Sequence, residues 1–108
     1  MEGWVVSKTA KLLETQLEVN ERLVGKEHPA TLTTSGNVAL INGAMGRTKD
    51  ALEIQERVLK TNKKLHGEDN QTMLVISFEI ALTYLALGRI KEALELHEKV
   101  LSGTRKMV

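Results

Sequence analysis

Gly46-Arg47-Thr48-Lys49-Asp50-Ala51-Leu52-Glu53 returns 42 residues later as Gly88-Arg89-Ile90-Lys91-Glu92-Ala93-Leu94-Glu95. Aligning Ser35–Leu59 with Ser77–Leu101 gives 13 identities in 25 positions, and upstream Leu23 and Gly25 fall on Leu65 and Gly67. Self-similarity at such a period is the signature of stacked supersecondary units, each too small to bury its apolar face alone.

The apolar spacing defines the unit. Leu32, Val38, Ala39, Ile41 and Met45, with Leu74, Ile80, Ala81 and Leu85 in the next copy, recur at three and four residues, the helical period. Gly46 and Gly88 stand where each of these helices must end in a left-handed residue, and Thr48 is positioned to cap the helix that follows. Second helices are expected from about Lys49 to Leu65 and from about Lys91 to Met107, with inner stripes of Ala51, Ile54, Val58 and Leu65, and of Ala93, Leu96 and Val100. Their outer faces place Glu53 with Arg57, Glu56 with Lys60 and Glu95 with Lys99 at i,i+4, the pattern of a solvated convex surface. Upstream, Ser7–Val24 carries Ala10, Leu13, Leu17 and Val24, which reads as a second helix without its first. The spacing therefore predicts five helices in one repeat array: a half repeat over 1–26, then full repeats over 27–67 and 68–108.

Composition excludes several functions. Fifteen Lys and Arg against 14 Asp and Glu leave a net charge of +1, with no field of one sign to draw in nucleic acid or an anionic membrane. The chain has no cysteine, so disulfide scaffolds, thiolate metal sites and cysteine nucleophiles are excluded, and a reducing, cytoplasmic location is expected. No apolar run approaches the roughly 20 residues of a membrane helix. His28, His66 and His97 lie far apart without a ligand-spaced partner, so no metal site is expected. Gly25-Lys26 lacks the second glycine and the following Ser or Thr of a phosphate loop. Carboxylates alternate with Lys and Arg on faces read as exposed, which serves solubility rather than acid–base chemistry. Neither catalysis nor a cofactor is expected.

The run Gly25-Lys26-Glu27-His28-Pro29-Ala30-Thr31-Leu32-Thr33-Thr34, followed by Asn37-Val38-Ala39 and by Gly46-Arg47 with Ala51-Leu52-Glu53, resembles the tetratricopeptide repeat of kinesin light chains and of the arrays in NLR-like proteins. The resemblance covers nearly the whole chain. It implies an all-α solenoid of helical hairpins wound into a right-handed superhelix, whose first helices line a concave groove holding a protein or peptide segment of a partner. Carried onto this sequence, the groove residues are Thr34, Asn37, Ile41, Glu79 and Thr83. The sequence departs from the family at Ser35-Gly36 and Ser77-Phe78-Glu79, where Leu-Asn-Asn is usual, at Asn42, where Tyr84 keeps the usual tyrosine, and at Asn70-Gln71, which replaces His-Pro. The resemblance thus implies an interaction module, a fragment of a larger repeat protein, with a structural spacer or oligomerisation segment as the alternative. Both ends of the array expose apolar positions, Ala10, Leu13 and Leu17 at one and Leu94, Leu101 and Met107 at the other, and self-association through them is expected.

Overall fold

The computed structural model describes residues 3–67 and 70–107, with side chains as far as Gly103. Among these residues there are five helices and no strands: α1 (Gly3–Val24), α2 (Pro29–Ala44), α3 (Thr48–His66), α4 (Gln71–Ala86) and α5 (Ile90–Met107). Helix α1 starts four residues before the expected Ser7. The chain packs as two compact units, Met1–Ile54 and Gln55–Val108, divided within α3. Each contains a helix of the second type followed by one of the first type: α1 with α2, and the later part of α3 with α4.

The helices end where glycine allows it. At Gly46 (φ 81°) and Gly88 (φ 77°) the backbone turns left-handed. Arg47 N–H then donates to the Asn42 carbonyl and Gly46 N–H to that of Gly43, and Arg89 and Gly88 repeat both bonds onto Tyr84 and Leu85. These paired bonds absorb carbonyls that a helix end would otherwise leave unsatisfied. The next helix is opened by an arginine rather than by Thr48. The Arg47 carbonyl accepts from Ala51 N–H and the Arg89 carbonyl from Ala93 N–H, so Thr48 lies one residue inside the helix and offers its backbone no cap.

The turns into α2 and α4 use different chemistry for the same task. Before α2, His28 Nδ1 accepts from Ala30 N–H at 3.0 Å, Pro29 supplies the preset first helical residue, and the buried Thr31 hydroxyl donates to the Gly25 carbonyl at 2.7 Å. Before α4, Asn70 does both jobs: its Oδ1 accepts from Met73 N–H at 2.9 Å and its Nδ2 donates to the Gly67 carbonyl at 3.0 Å.

Small residues set the packing. Ala10, Val38, Ala39, Ala51 and Leu52 are buried in the first unit, and Met73, Ile76, Ile80, Ala81, Ala93 and Val100 in the second. In the second unit α5 approaches α4 so closely that a Cβ on Gly103 would lie 2.8 Å from Leu74 Cδ2. No heavier residue fits there without displacing Leu74. Of the charge pairs expected on the outer faces, Glu53–Arg57, Glu56–Lys60 and Glu95–Lys99 do not close. An ion pair that does form joins Arg89 to Glu92, with the Arg89 guanidinium 4.6 Å from the centre of the Tyr84 ring.

The exposed apolar surface of α1 is also not where the stripe placed it. Ala10 is buried and Leu13 and Leu17 are half-buried, whereas Trp4, Leu12 and Leu23 are exposed. At the other end Leu94 and Leu101 are exposed, and the side chain of Met107 lies outside the described residues.

Candidate functional site

Asn37 and Ile41 lie one helical turn apart on α2, and Glu79 and Thr83 occupy the same repeat positions on α4. Asn37 is exposed although the next two residues, Val38 and Ala39, are buried. Its amide forms no hydrogen bond with any described residue, so both its donors and its acceptor are available to a ligand. Ile41 is half-buried and offers an apolar contact beside that amide. Residues of this kind, a free amide and a neighbouring apolar side chain on a rigid helix, can hold a peptide backbone and one of its side chains.

Glu79 is also half-buried, and burial pushes its carboxyl above the usual carboxylate range. A group so placed is ready to gain from a cationic or hydrogen-bond-donating ligand, which would restore what desolvation took away. The Thr83 hydroxyl is occupied within the fold, lying 2.8 Å from Gln55 Oε1 on α3 and 3.1 Å from the Glu79 carbonyl. It holds α4 against α3 and positions the turn carrying Glu79. Thr34 faces inward. It is buried, its hydroxyl donates to the Ala30 carbonyl at 3.0 Å, and it accepts from Asn20 Nδ2 at 2.9 Å. The structure thus leaves Asn37, Ile41 and Glu79 open to a ligand and ties Thr34 and Thr83 into helix contacts.

Sequence reading missed the polar residues of the second-type helices. Gln16 Nε2 donates to Asn20 Oδ1 at 2.7 Å, while Asn20 Nδ2 reaches Thr34 and, at 3.4 Å, the Ala30 carbonyl. Asn62, 42 residues on, is buried with Oδ1 unpaired. The recurrence of asparagine at one repeat position in helices otherwise amphipathic was the available signal.

In the second unit a cleft of about 520 Å³ opens between α3, α4 and α5, floored by Leu59, Met73, Leu96 and Val100 and edged by Lys60 and Lys99. A neighbouring hollow of about 330 Å³ is edged by Glu56, Glu92 and Glu95. Among the described residues no three His, Asp or Glu side chains gather to hold a metal ion, and no helix is long and apolar enough to cross a membrane.

Comparison with known proteins agrees with the helical repeat. The family described as Tetratricopeptide repeat matches residues 8–64 and 36–106. The solved TPR-like repeats of a Podosopora anserina kinesin light chain are similar at 28% identity and a TM-score of 0.86, over 95% of this chain and 49% of that one, and a variant of the same protein gives the same values. BtubC (BKLC) from P. vanneervenii shares the fold, with 20% identity and a TM-score of 0.86 over 94% of this chain and 40% of that one. No curated protein matches. The chain therefore spans about half the length, or less, of these solved relatives. Two matches of the family over almost the whole sequence, on a fold of helical hairpins, establish that the chain belongs to the tetratricopeptide repeat family and is of the kinesin light chain-like type.

Proposed function

We propose that the chain is a protein-interaction module, part of a longer repeat protein, which binds a segment of a partner through the open faces of its first-type helices. On α2 the contact is made by Asn37 and Ile41, and on α4 by Glu79, with Thr34 and Thr83 holding those helices in place. The observation that carries this reading is the Asn37 amide. Thr31 and Thr34 on the same helix bond within the fold, whereas Asn37 stands free beside the buried Val38. An amide can bond a peptide backbone regardless of its sequence, so the α2 face suits an extended or helical segment. Glu79 adds a preference for a basic residue or a donor. A chain without cysteine suits the reducing conditions of the cytoplasm. As a member of this repeat family the chain is read as acting by binding and not by catalysis.

The test uses peptides selected from a random 12-residue display library on the 108-residue chain. Asn37→Ala is expected to weaken their binding about 3- to 10-fold, the equivalent of one or two hydrogen bonds, with the melting temperature unchanged. A spacer whose face is never occupied would yield peptides that bind parent and variant alike.

A further inference from the structure

Between α3 and α5 the two hollows of the second unit meet in one groove, floored by α4. They share Glu56, Leu59, Leu96 and Lys99. The half-buried Leu59 and Leu96 lay an apolar strip along the groove, continued by the buried Met73 and Val100. Charge is sorted along that strip. Glu56 and Glu95 edge one end and Lys60 and Lys99 the other, all four exposed, while Glu92 is already paired with Arg89.

The basic end is not a requirement of the repeat, because α1 has Glu18 and Glu21 where α3 has Lys60 and Lys63. Nor does a following repeat cover the groove. On α3, which has a repeat after it, Leu52 and Gln55 are buried, whereas Asp50, Glu53 and Arg57 are exposed. The matching positions on α5 divide in the same way. Leu94 and His97 lie on the flank that the array covers, and Glu92, Glu95 and Lys99, which edge the groove, lie on the flank that it leaves open.

We propose that this groove is a second docking site, separate from the face of Asn37 and Glu79, for a short extended protein segment that carries a large apolar residue between a basic and an acidic one. The apolar side chain enters the cleft of about 520 Å³ over Leu59 and Leu96. The basic residue lies towards Glu56 and Glu95, and the acidic one towards Lys60 and Lys99. Charge complementarity selects this occupant. A segment of one sign would meet like charges at one end of the groove, and a nucleic-acid backbone would bring phosphates to the glutamates and leave the apolar floor unused. From Glu56 to Lys63 the α3 wall runs about 10 Å, so charges on either side of one seated residue of an extended segment reach both ends.

The probe is a fluorescein-labelled peptide with arginine, leucine and aspartate at alternate positions in a serine and glycine background, so that an extended backbone turns all three to one side. Its anisotropy with the 108-residue chain is expected to saturate with a Kd of about 10–100 μM. Lys60→Glu, which copies Glu18 of the first unit, and Lys99→Glu should each weaken binding about 3- to 10-fold, with helical circular dichroism retained. Serine in place of the peptide's leucine should cost at least about 10-fold, and aspartate in place of its arginine about 3- to 10-fold. Asn37→Ala should change nothing, which separates this site from the α2 face. Absence of saturation up to about 1 mM overturns the proposal. So does equal binding of the serine peptide, which would leave only a solvated charged face, or indifference to both lysine reversals. Loss of binding in Asn37→Ala would place the peptide on α2 and overturns it as well, and equal binding of the all-acidic peptide overturns the charge gradient.

Discussion

Asn20 in the first unit and Asn62 in the second hold the same position of the 42-residue period, but only one of them is satisfied. Asn20 accepts from Gln16 and donates to Thr34. At the matching positions the second unit has Val58 and Ile76, neither of which can bond, and Asn62 Oδ1 is left buried without a partner. The turns differ in the opposite sense. His28 and Thr31 divide two bonds between them before α2, whereas Asn70 makes both before α4. The two units therefore reach one backbone through different bonds. Repeat geometry is held by apolar period and glycine position, and polar contacts are free to drift so long as each helix end and each helix contact is met somehow.

The largest expected effect is at the turns. Asn70→Ala removes a cap and a loop bond together and should destabilise the chain by about 1–2 kcal/mol, while His28→Ala removes a cap alone, leaves Thr31 in place, and should cost about half as much. Urea midpoints compare them, and equal losses would mean that the two bonds of Asn70 do not act as one anchor. Next come the asparagines. Asn20→Ala should cost about 1 kcal/mol, whereas Asn62→Ala discards an unsatisfied buried oxygen and should be neutral within about 0.5 kcal/mol. A loss at Asn62 equal to that at Asn20 would erase the contrast between the units.

The smallest effect is electrostatic and belongs to the second unit. The hydrogen bond from Arg89 holds the Glu92 carboxyl below the usual carboxylate range, helped by the guanidinium charge. Its folded pKa is depressed, so its contribution to stability is present above the unfolded pKa and is lost as pH falls through the folded one. Glu79 has the opposite sign. Burial raises its folded pKa, so its contribution is complete below the unfolded pKa and is lost as pH rises through the folded one. Glu92→Gln should therefore flatten the acid decline of stability between about pH 5 and pH 3, and Glu79→Gln should improve stability at neutral pH relative to pH 4.

Much of this was legible in the sequence because period and punctuation are properties of the chain itself. The helical spacing from Leu32 to Met45 and from Ala51 to Leu65, with Gly46 and Gly88 between helices, gives the hairpins directly. The direction of polar side chains was not legible on α2 and α4. Unlike α3 and α5, α2 carries no charged residue and α4 only Glu79, so no amphipathic contrast marks which side is open. Thr34 and Thr83 were accordingly read as lining a groove, while the structure turns their hydroxyls towards α1 and α3. Asn37 could be placed only through the family resemblance. The i,i+4 charge pairs illustrate a different limit, since long exposed side chains gain too little from pairing to fix their geometry.

The central claim is that the free faces of α2 and α4 take a protein segment. Amide chemical-shift mapping of the 12.0 kDa chain against a display-selected peptide tests it most directly. Saturable shifts centred on Asn37 and Ile41, and on Glu79 and its neighbours, with the outer faces of α3 and α5 unmoved, are the predicted result. Saturable shifts centred instead on the cleft of Leu59, Leu96 and Lys99, with Asn37 and Glu79 unmoved, would contradict it and move the binding site to the second-type helices.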